Sequence, residues 1–170
     1  RPIVLVPLRA DAPLAAGIAP GLKDVGVFLP YSPLHQLLLD AFGGPLVATS
    51  GNLSGEPVLT ATAEAATRLA AIADAFLHHN RPIERPADDP VMRPVADRIR
   101  PLRMGRGNAP AERALRQSLA RPVIAVGGHL KNTVALAWAE RVVVSPHIGD
   151  MDTPRSQQVF AQVVADLQTL

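Results

Sequence analysis

The sequence predicts an α/β fold, and three observations carry the prediction. Short apolar, β-prone runs recur and end at Gly or Pro. Between them lie stretches with apolar residues at helical spacing, two of them opened by Pro. Finally, 48% of the 170 residues are apolar, enough to build a packed core.

The elements follow in chain order. Residues 3–8 read as a strand and 12–19 as a short helix closed by Pro20-Gly21. Residues 25–29 give a second strand, ended by Pro30. Pro33 suits a first helical turn; Leu34, Leu37, Leu38 and Phe42 then recur at helical spacing until Gly43-Gly44. Residues 46–49 read as a third strand. Thr60 or Thr62 can cap the next helix, with Glu64 in its first turn and Ala65, Leu69 and Ile72 as its apolar stripe. Residues 75–77, 91–96 and 99–104 read as further strands. Residues 105–121 are rich in Gly, Pro, Ala and Arg without a period of two, and read as irregular chain. Residues 122–127, 134–138 and 142–145 read as a three-stranded β-meander with a tight turn at Glu140-Arg141. From Pro154 a helix runs to the end, with Val159, Phe160, Val163, Val164 and Leu167 on one stripe.

This pattern predicts pieces of two domains, 1–109 and 122–170, joined by a linker at 110–121. The second piece is too short for an independent α/β domain, and the chain opens on Arg1 directly into a strand. A longer polypeptide is therefore expected.

Composition excludes several classes. No apolar run reaches the ~18 residues of a membrane span, and the N-terminus lacks a signal pattern. With no cysteine there is no disulfide, thiolate metal site or Cys nucleophile, which fits a reducing cytoplasm. Net charge is only +2, yet residues 81–121 hold ten arginines against five acids. Such a field favours an anionic ligand; a solvated charged face is the plainer reading.

Four constellations bear on chemistry. The first is Thr49-Ser50-Gly51-Asn52-Leu53-Ser54-Gly55, where glycines let backbone N–H groups approach an anion and Ser and Asn add directional bonds. An ordinary turn-rich connection is its plain alternative. The second is Asp88-Asp89-Pro90-Val91-Met92-Arg93. Its carboxylates suit Mg²⁺ or a general base, though a turn or ion-pair role is commoner. Arg93, on a strand, is the better candidate to grip a carboxylate or phosphate. The third, Arg100-Pro-Leu-Arg103-Met-Gly-Arg106-Gly, suits a polyphosphate or is simply an exposed basic strand end. The fourth is Gly127-Gly128-His129-Leu130-Lys131-Asn132-Thr133, a hairpin able to wrap phosphates but not a P-loop, because no helix follows the Lys. Among the histidines, His35 is expected on a helix surface, and His78-His79 has no partner at metal-ligand spacing. His147, in Ser145-Pro-His147-Ile-Gly149-Asp150, suits a loop beside a nucleotide. No zinc set, Ser-His-Asp set or certain catalytic residue emerges.

Four stretches together are more specific than any one. They are Gly26-Val-Phe-Leu-Pro-Tyr-Ser-Pro-Leu-His35, Val47-Ala-Thr-Ser-Gly-Asn-Leu-Ser-Gly-Glu-Pro57, Ile72-Ala-Asp-Ala-Phe-Leu-His-His-Asn-Arg-Pro-Ile83, and Val126-Gly-Gly-His-Leu-Lys-Asn-Thr133 with His147-Ile-Gly-Asp150. In this order they resemble the HypF family of hydrogenase maturation carbamoyltransferases over nearly the whole chain. The resemblance implies a YrdC-like twisted mixed sheet with helices, followed by the opening β-meander and helix of an actin-like ATPase (ASKHA) domain.

It also implies carbamoyl phosphate and ATP as substrates, with Mg²⁺, and a carbamoyl-adenylate intermediate. The carbamoyl group would pass to the C-terminal cysteine of the partner HypE. Zinc would belong to zinc fingers outside this chain. The resemblance places Thr49, Ser50, Asn52, Arg93, Arg103 and Arg106 at the YrdC-like nucleotide site. It places Gly127, Gly128, Lys131, Asn132, Thr133 and Asp150 at the nucleotide loop of the actin-like domain, with no metal ligand in this chain. Two departures are Pro90, where Ser is expected, and Asn108, where an aromatic is expected. The 170 residues alone are expected to be inactive.

Two other readings compete. A YrdC-type nucleic-acid-binding module fits the arginines, but aromatic residues are only 4%, too few for stacking platforms. A tRNA threonylcarbamoylation or antibiotic O-carbamoylation enzyme stays within the same chemistry; the Gly127–Thr133 hairpin argues against a stand-alone tRNA enzyme.

Overall fold

The computed structural model describes residues 1–170, which divide into two compact units. The first comprises Arg1–Thr49 and Asp89–Arg103, the second Ser50–Asp88 and Met104–Leu170.

The first unit is a four-stranded mixed sheet with one helix. Its strands are β1 (Ile3–Pro7), β2 (Asp24–Val27), β3 (Val91–Val95) and β4 (Arg98–Arg103), in spatial order β2-β1-β3-β4. β1 pairs antiparallel with β2 (Leu5 opposite Gly26) and parallel with β3 (Ile3 opposite Val91). β3 and β4 form a hairpin whose two turn residues, Ala96 and Asp97, both have positive φ. That is the sense of a type I′ turn, which matches strand twist. Helix α1 (Pro33–Phe42) is punctuated as its sequence dictates. Ser32 Oγ accepts from His35 N–H at 3.2 Å, Pro33 opens the first turn, and left-handed Gly43 closes it. His35 is half-buried, edge-on to Tyr31 with ring centroids 4.6 Å apart, rather than on the surface.

The second unit holds helix α2 (Thr62–Arg68), strands β5 (Ala111–Ala125) and β6 (Ala135–Val144), and helix α3 (Pro154–Leu167). Its core is Val134, Val143, Ile148 and Leu167, onto which Trp138, Val159, Phe160, Val163 and Val164 pack. The α3 stripe thus faces inward as its spacing predicts; burying a side chain of this size contributes about 1.5–3 kcal/mol. Thr153 and Ser156 form a reciprocal capping box at the start of α3. The fully buried Ser145 is satisfied: its Oγ accepts from Val134 N–H and donates to Pro146 C=O.

Several expectations are corrected. Residues 12–19 form turns, because Pro13, Gly17 and Pro20 interrupt a helix. Residues 46–49 and 75–77 have strand-forming residues but no pairing partner, so neither is a strand. Helix α2 ends at Arg68, leaves Ile72 exposed, and has Ala61 rather than a Thr at its cap. Most of 110–121 is not irregular but the first part of β5, and β6 runs straight through Glu140-Arg141. Two register shifts, between Ala114 and Leu119 and between Leu119 and Val123, break the period-two pattern and conceal the strand. Two long paired strands therefore stand where three short ones were expected.

Candidate functional site

The loop after Thr49 is folded around Asn52. Its Nδ2 donates to Leu53 C=O and to Glu56 C=O, both at 2.9 Å. Glu56 N–H bonds back to Leu53 C=O, and Leu59 N–H reaches Gly51 C=O at 2.9 Å. Gly55 sits at φ 79°, where a side chain would be strained. Asn52 therefore spends its amide on the loop itself. Ser50 is exposed at the loop's start, and its hydroxyl takes no part in these bonds.

Behind this loop lies a run of alternating charge. Arg68 Nη2 is 2.9 and 2.8 Å from the two carboxylate oxygens of Glu56, and Nη1 is 3.4 Å from Glu64. Hydrogen bonding to Glu56 raises the Arg68 pKa further above its ordinary value. Glu64 in turn accepts from Arg155 on α3 at 2.7 Å.

The other predicted arginines divide between the units. Arg93, on β3, is held by Asp24 of β2 at 2.6 Å, an ion pair that ties the edge of the first sheet. Arg103 Nε donates to Asp89 C=O at 3.0 Å, while Asp89 Oδ2 accepts from Tyr31 O–H. Arg106, in the second unit, anchors through its backbone N–H to Asp88 C=O. The unexpected Asn108 accepts from Gly105 N–H at 2.7 Å and closes that turn. Pro90 is buried, and its carbonyl accepts from Ile3 N–H.

The second loop, 126–133, is tighter. Gly127 has φ 70°, and a Cβ there would lie 2.3 Å from Thr133 C=O, so only glycine fits. Asn132 is 3% exposed, and its Nδ2 donates to Val126 C=O and Gly128 C=O at 2.9 and 2.6 Å. Its Oδ1 is buried without a partner, an acceptor left over inside the cradle. Asp150 Oδ1 accepts from Lys131 N–H at 2.8 Å, and this bond first of all holds the carboxyl below its usual range. Lys131 Nζ is 3.5 Å from the same oxygen and largely exposed. His129 Nε2 lies 2.6 Å from Asp152, and Met151 N–H donates to His129 C=O.

The obligatory glycine and the Lys131 ammonium, paired with Asp150 but largely exposed, are a donor set that suits an anion. No group of three or more His, Asp or Glu side chains is arranged to hold a metal. A Mg²⁺ would ride on the nucleotide's own phosphates, as it commonly does.

One feature escaped the sequence reading. A concavity of about 620 Å³ lies between the residues leading into α2 and the 77–83 segment, where His78, His79 and Arg81 line it. His78-His79 has no partner at metal-ligand spacing, and only the fold brings the two histidines beside Thr60 and Thr62.

The fold is that of a YrdC-like domain that continues into a second domain. Residues 1–105 match the telomere recombination (Sua5/YciO/YrdC) family, and residues 118–170 match the HypF Kae1-like domain. The chain is 45% identical to carbamoyltransferase HypF of Synechocystis sp. over 99% of its length and 22% of the relative's. It is 43% identical to that of Rhodobacter capsulatus over 99% of its length and 23% of the relative's. A crystal structure of full-length HypF in the phosphate- and nucleotide-bound form superposes with a TM-score of 0.93 at 38% identity, covering 100% of this chain and 27% of that one. The HypF of T. kodakarensis gives 0.92 at 32% identity, over 100% and 22%. The chain belongs to the HypF family and spans between a fifth and a quarter of the length of its curated relatives. No helix is long and apolar enough to cross a membrane.

Proposed function

We propose that this chain is the segment of a hydrogenase maturation carbamoyltransferase that carries part of two nucleotide sites. The observation that carries the reading is the likeness of the whole chain to a HypF crystallised with phosphate and nucleotide. The Ser50–Glu56 loop is held open by Asn52, which leaves Ser50 free to meet a phosphate or ribose oxygen.

In this reading ATP and carbamoyl phosphate are the substrates. Water first cleaves carbamoyl phosphate to carbamate and inorganic phosphate; a carbamate oxygen then attacks the α-phosphorus of ATP, the bond from the α-phosphorus to the β-bridging oxygen breaks, and pyrophosphate leaves with that oxygen. Negative charge builds on the phosphoryl oxygens. Arginines and backbone N–H groups fixed beforehand lower that barrier electrostatically. Arg93, Arg103 and Arg106 are the candidates for this work. The 126–133 loop would hold the phosphates of the nucleotide in the second domain, from which the carbamoyl group passes to the terminal cysteine of HypE. None of these steps needs a nucleophile from this chain, in keeping with its lack of cysteine. The test is pyrophosphate exchange by the full-length protein, dependent on carbamoyl phosphate and impaired by Ser50→Ala.

A further inference from the structure

The 620 Å³ concavity carries chemistry of its own. Its polar side chains, Arg81, His78, His79, Asn80, Thr60 and Thr62, can all donate a hydrogen bond, and Arg81 brings a fixed positive charge. No carboxylate lines it. The nearest acid in sequence on α2, Glu64, is engaged by Arg68 and Arg155.

Two of the donors are oriented. Arg81 N–H donates to His79 Nδ1 at 3.2 Å, so the neutral ring carries its proton on Nε2 and can donate from there. His78 stacks on Phe76, centroids 5.8 Å apart and planes 11° from parallel, which fixes that ring. Arg81 itself has no ion pair. The cleft also adjoins the Ser50 loop, because Leu59, which lines it, bonds through its N–H to Gly51 C=O.

A concavity lined by donors and by no acid takes an anion. We infer that the Thr60–Arg81 cleft is a phosphate-binding site, separate from the residues assigned to the nucleotide, with Arg81 as its principal ligand and His79 Nε2 as a second. The assignment of its phosphate to a substrate rests on the proposed function; its anion chemistry does not. The phosphate group belongs either to the nucleotide or to the acyl phosphate.

The test is calorimetric titration of the full-length protein with inorganic phosphate and with pyrophosphate. Wild type is compared with Arg81→Ala, Arg81→Lys, His79→Gln and a control, Arg98→Ala, on an exposed strand outside the cleft. Arg81→Ala is expected to weaken one phosphate site about tenfold or more. Lys should restore part of it, His79→Gln should weaken it a few-fold, and Arg98→Ala should change nothing. An unchanged thermal midpoint in each variant separates a lost ligand from lost folding. Displacement of phosphate by ATP in wild type assigns the group to the nucleotide; displacement by carbamoyl phosphate alone assigns it to the acyl phosphate. Equal binding by wild type, Arg81→Ala and His79→Gln overturns the site, as does an Arg98→Ala loss as large as that of Arg81→Ala. If Ser50→Ala leaves pyrophosphate exchange intact while Arg81→Ala loses phosphate, the functional reading fails and the cleft stands.

Discussion

Arg155, in the first turn of α3, donates to Glu64 Oε1 of α2 at 2.7 Å. One residue lies in the stretch that matches the HypF Kae1-like domain, the other in the stretch that matches the telomere recombination family. Glu64 continues through Arg68 to Glu56, whose carbonyl is bonded by Asn52. A single run of charge thus ties α3 to the Ser50 loop. Its side chains are partly buried, Arg155 at 21% and Glu64 at 35% exposure, so solvent screens the pair incompletely. In a double-mutant cycle of Arg155→Ala and Glu64→Ala, read by urea unfolding, we expect a coupling of about 1 kcal/mol. Additive single effects would dissolve the link.

Asn52 is expected to act on its loop before any ligand. Asn52→Ala removes two donors and leaves Leu53 and Glu56 carbonyls to find water, at roughly 1–3 kcal/mol of local stability. Asn52→Asp should be worse, because it turns a carboxylate oxygen toward those carbonyls. Amide hydrogen exchange across 51–59 checks this: it should quicken in the order wild type, Ala, Asp. The Leu59 amide, which closes the loop on Gly51, is the most direct reporter.

Gly127→Ala should be among the most damaging small substitutions in the second unit. The added methyl would sit 2.3 Å from Thr133 C=O on a backbone at φ 70°. The loss is expected to be roughly 2 kcal/mol or more, seen as a lower thermal midpoint. Gly128→Ala serves as the control, because a methyl there would meet nothing nearer than Leu130 C=O, 3.9 Å away.

Asp150 predicts an acid dependence with a definite sign. Its carboxyl titrates lower in the folded protein than in the unfolded chain, first because Lys131 N–H donates to it. The unfolded state therefore binds more protons, and stability rises with pH through the acid range. The contribution is complete above the ordinary aspartate value of about 3.9 and disappears as pH falls through the lowered one. Thermal unfolding of wild type and Asp150→Asn should differ near neutrality and converge in acid. A difference that grows on acidification would contradict this.

The sequence made some elements plain and concealed others for physical reasons. α1 and α3 were legible because Pro33 and Pro154 mark their first turns and apolar residues recur at helical spacing; the α3 stripe packs on the core, while Leu37, Leu38 and Phe42 of α1 are exposed. β3 and β4 were legible as two strand-prone runs, 91–96 and 99–104; that they pair as a hairpin through Ala96-Asp97 is a finding of the structure. β5 was not, because its register shifts move apolar residues out of phase. Residues 46–49 misled because a strand requires a partner as well as a composition. Both candidate loops were visible as Gly, Ser and Asn clusters. That Asn52 and Asn132 would turn inward and hold backbone carbonyls depends on where the folded chain places those carbonyls, which composition does not record.

The central claim is that the Ser50 loop serves carbamoyl activation at the expense of ATP. Exchange of labelled pyrophosphate into ATP by the full-length protein tests it most directly. The account predicts exchange only when carbamoyl phosphate is present, and a fall of roughly tenfold or more in Ser50→Ala. Exchange that proceeds without carbamoyl phosphate, or at an undiminished rate in Ser50→Ala, would contradict it.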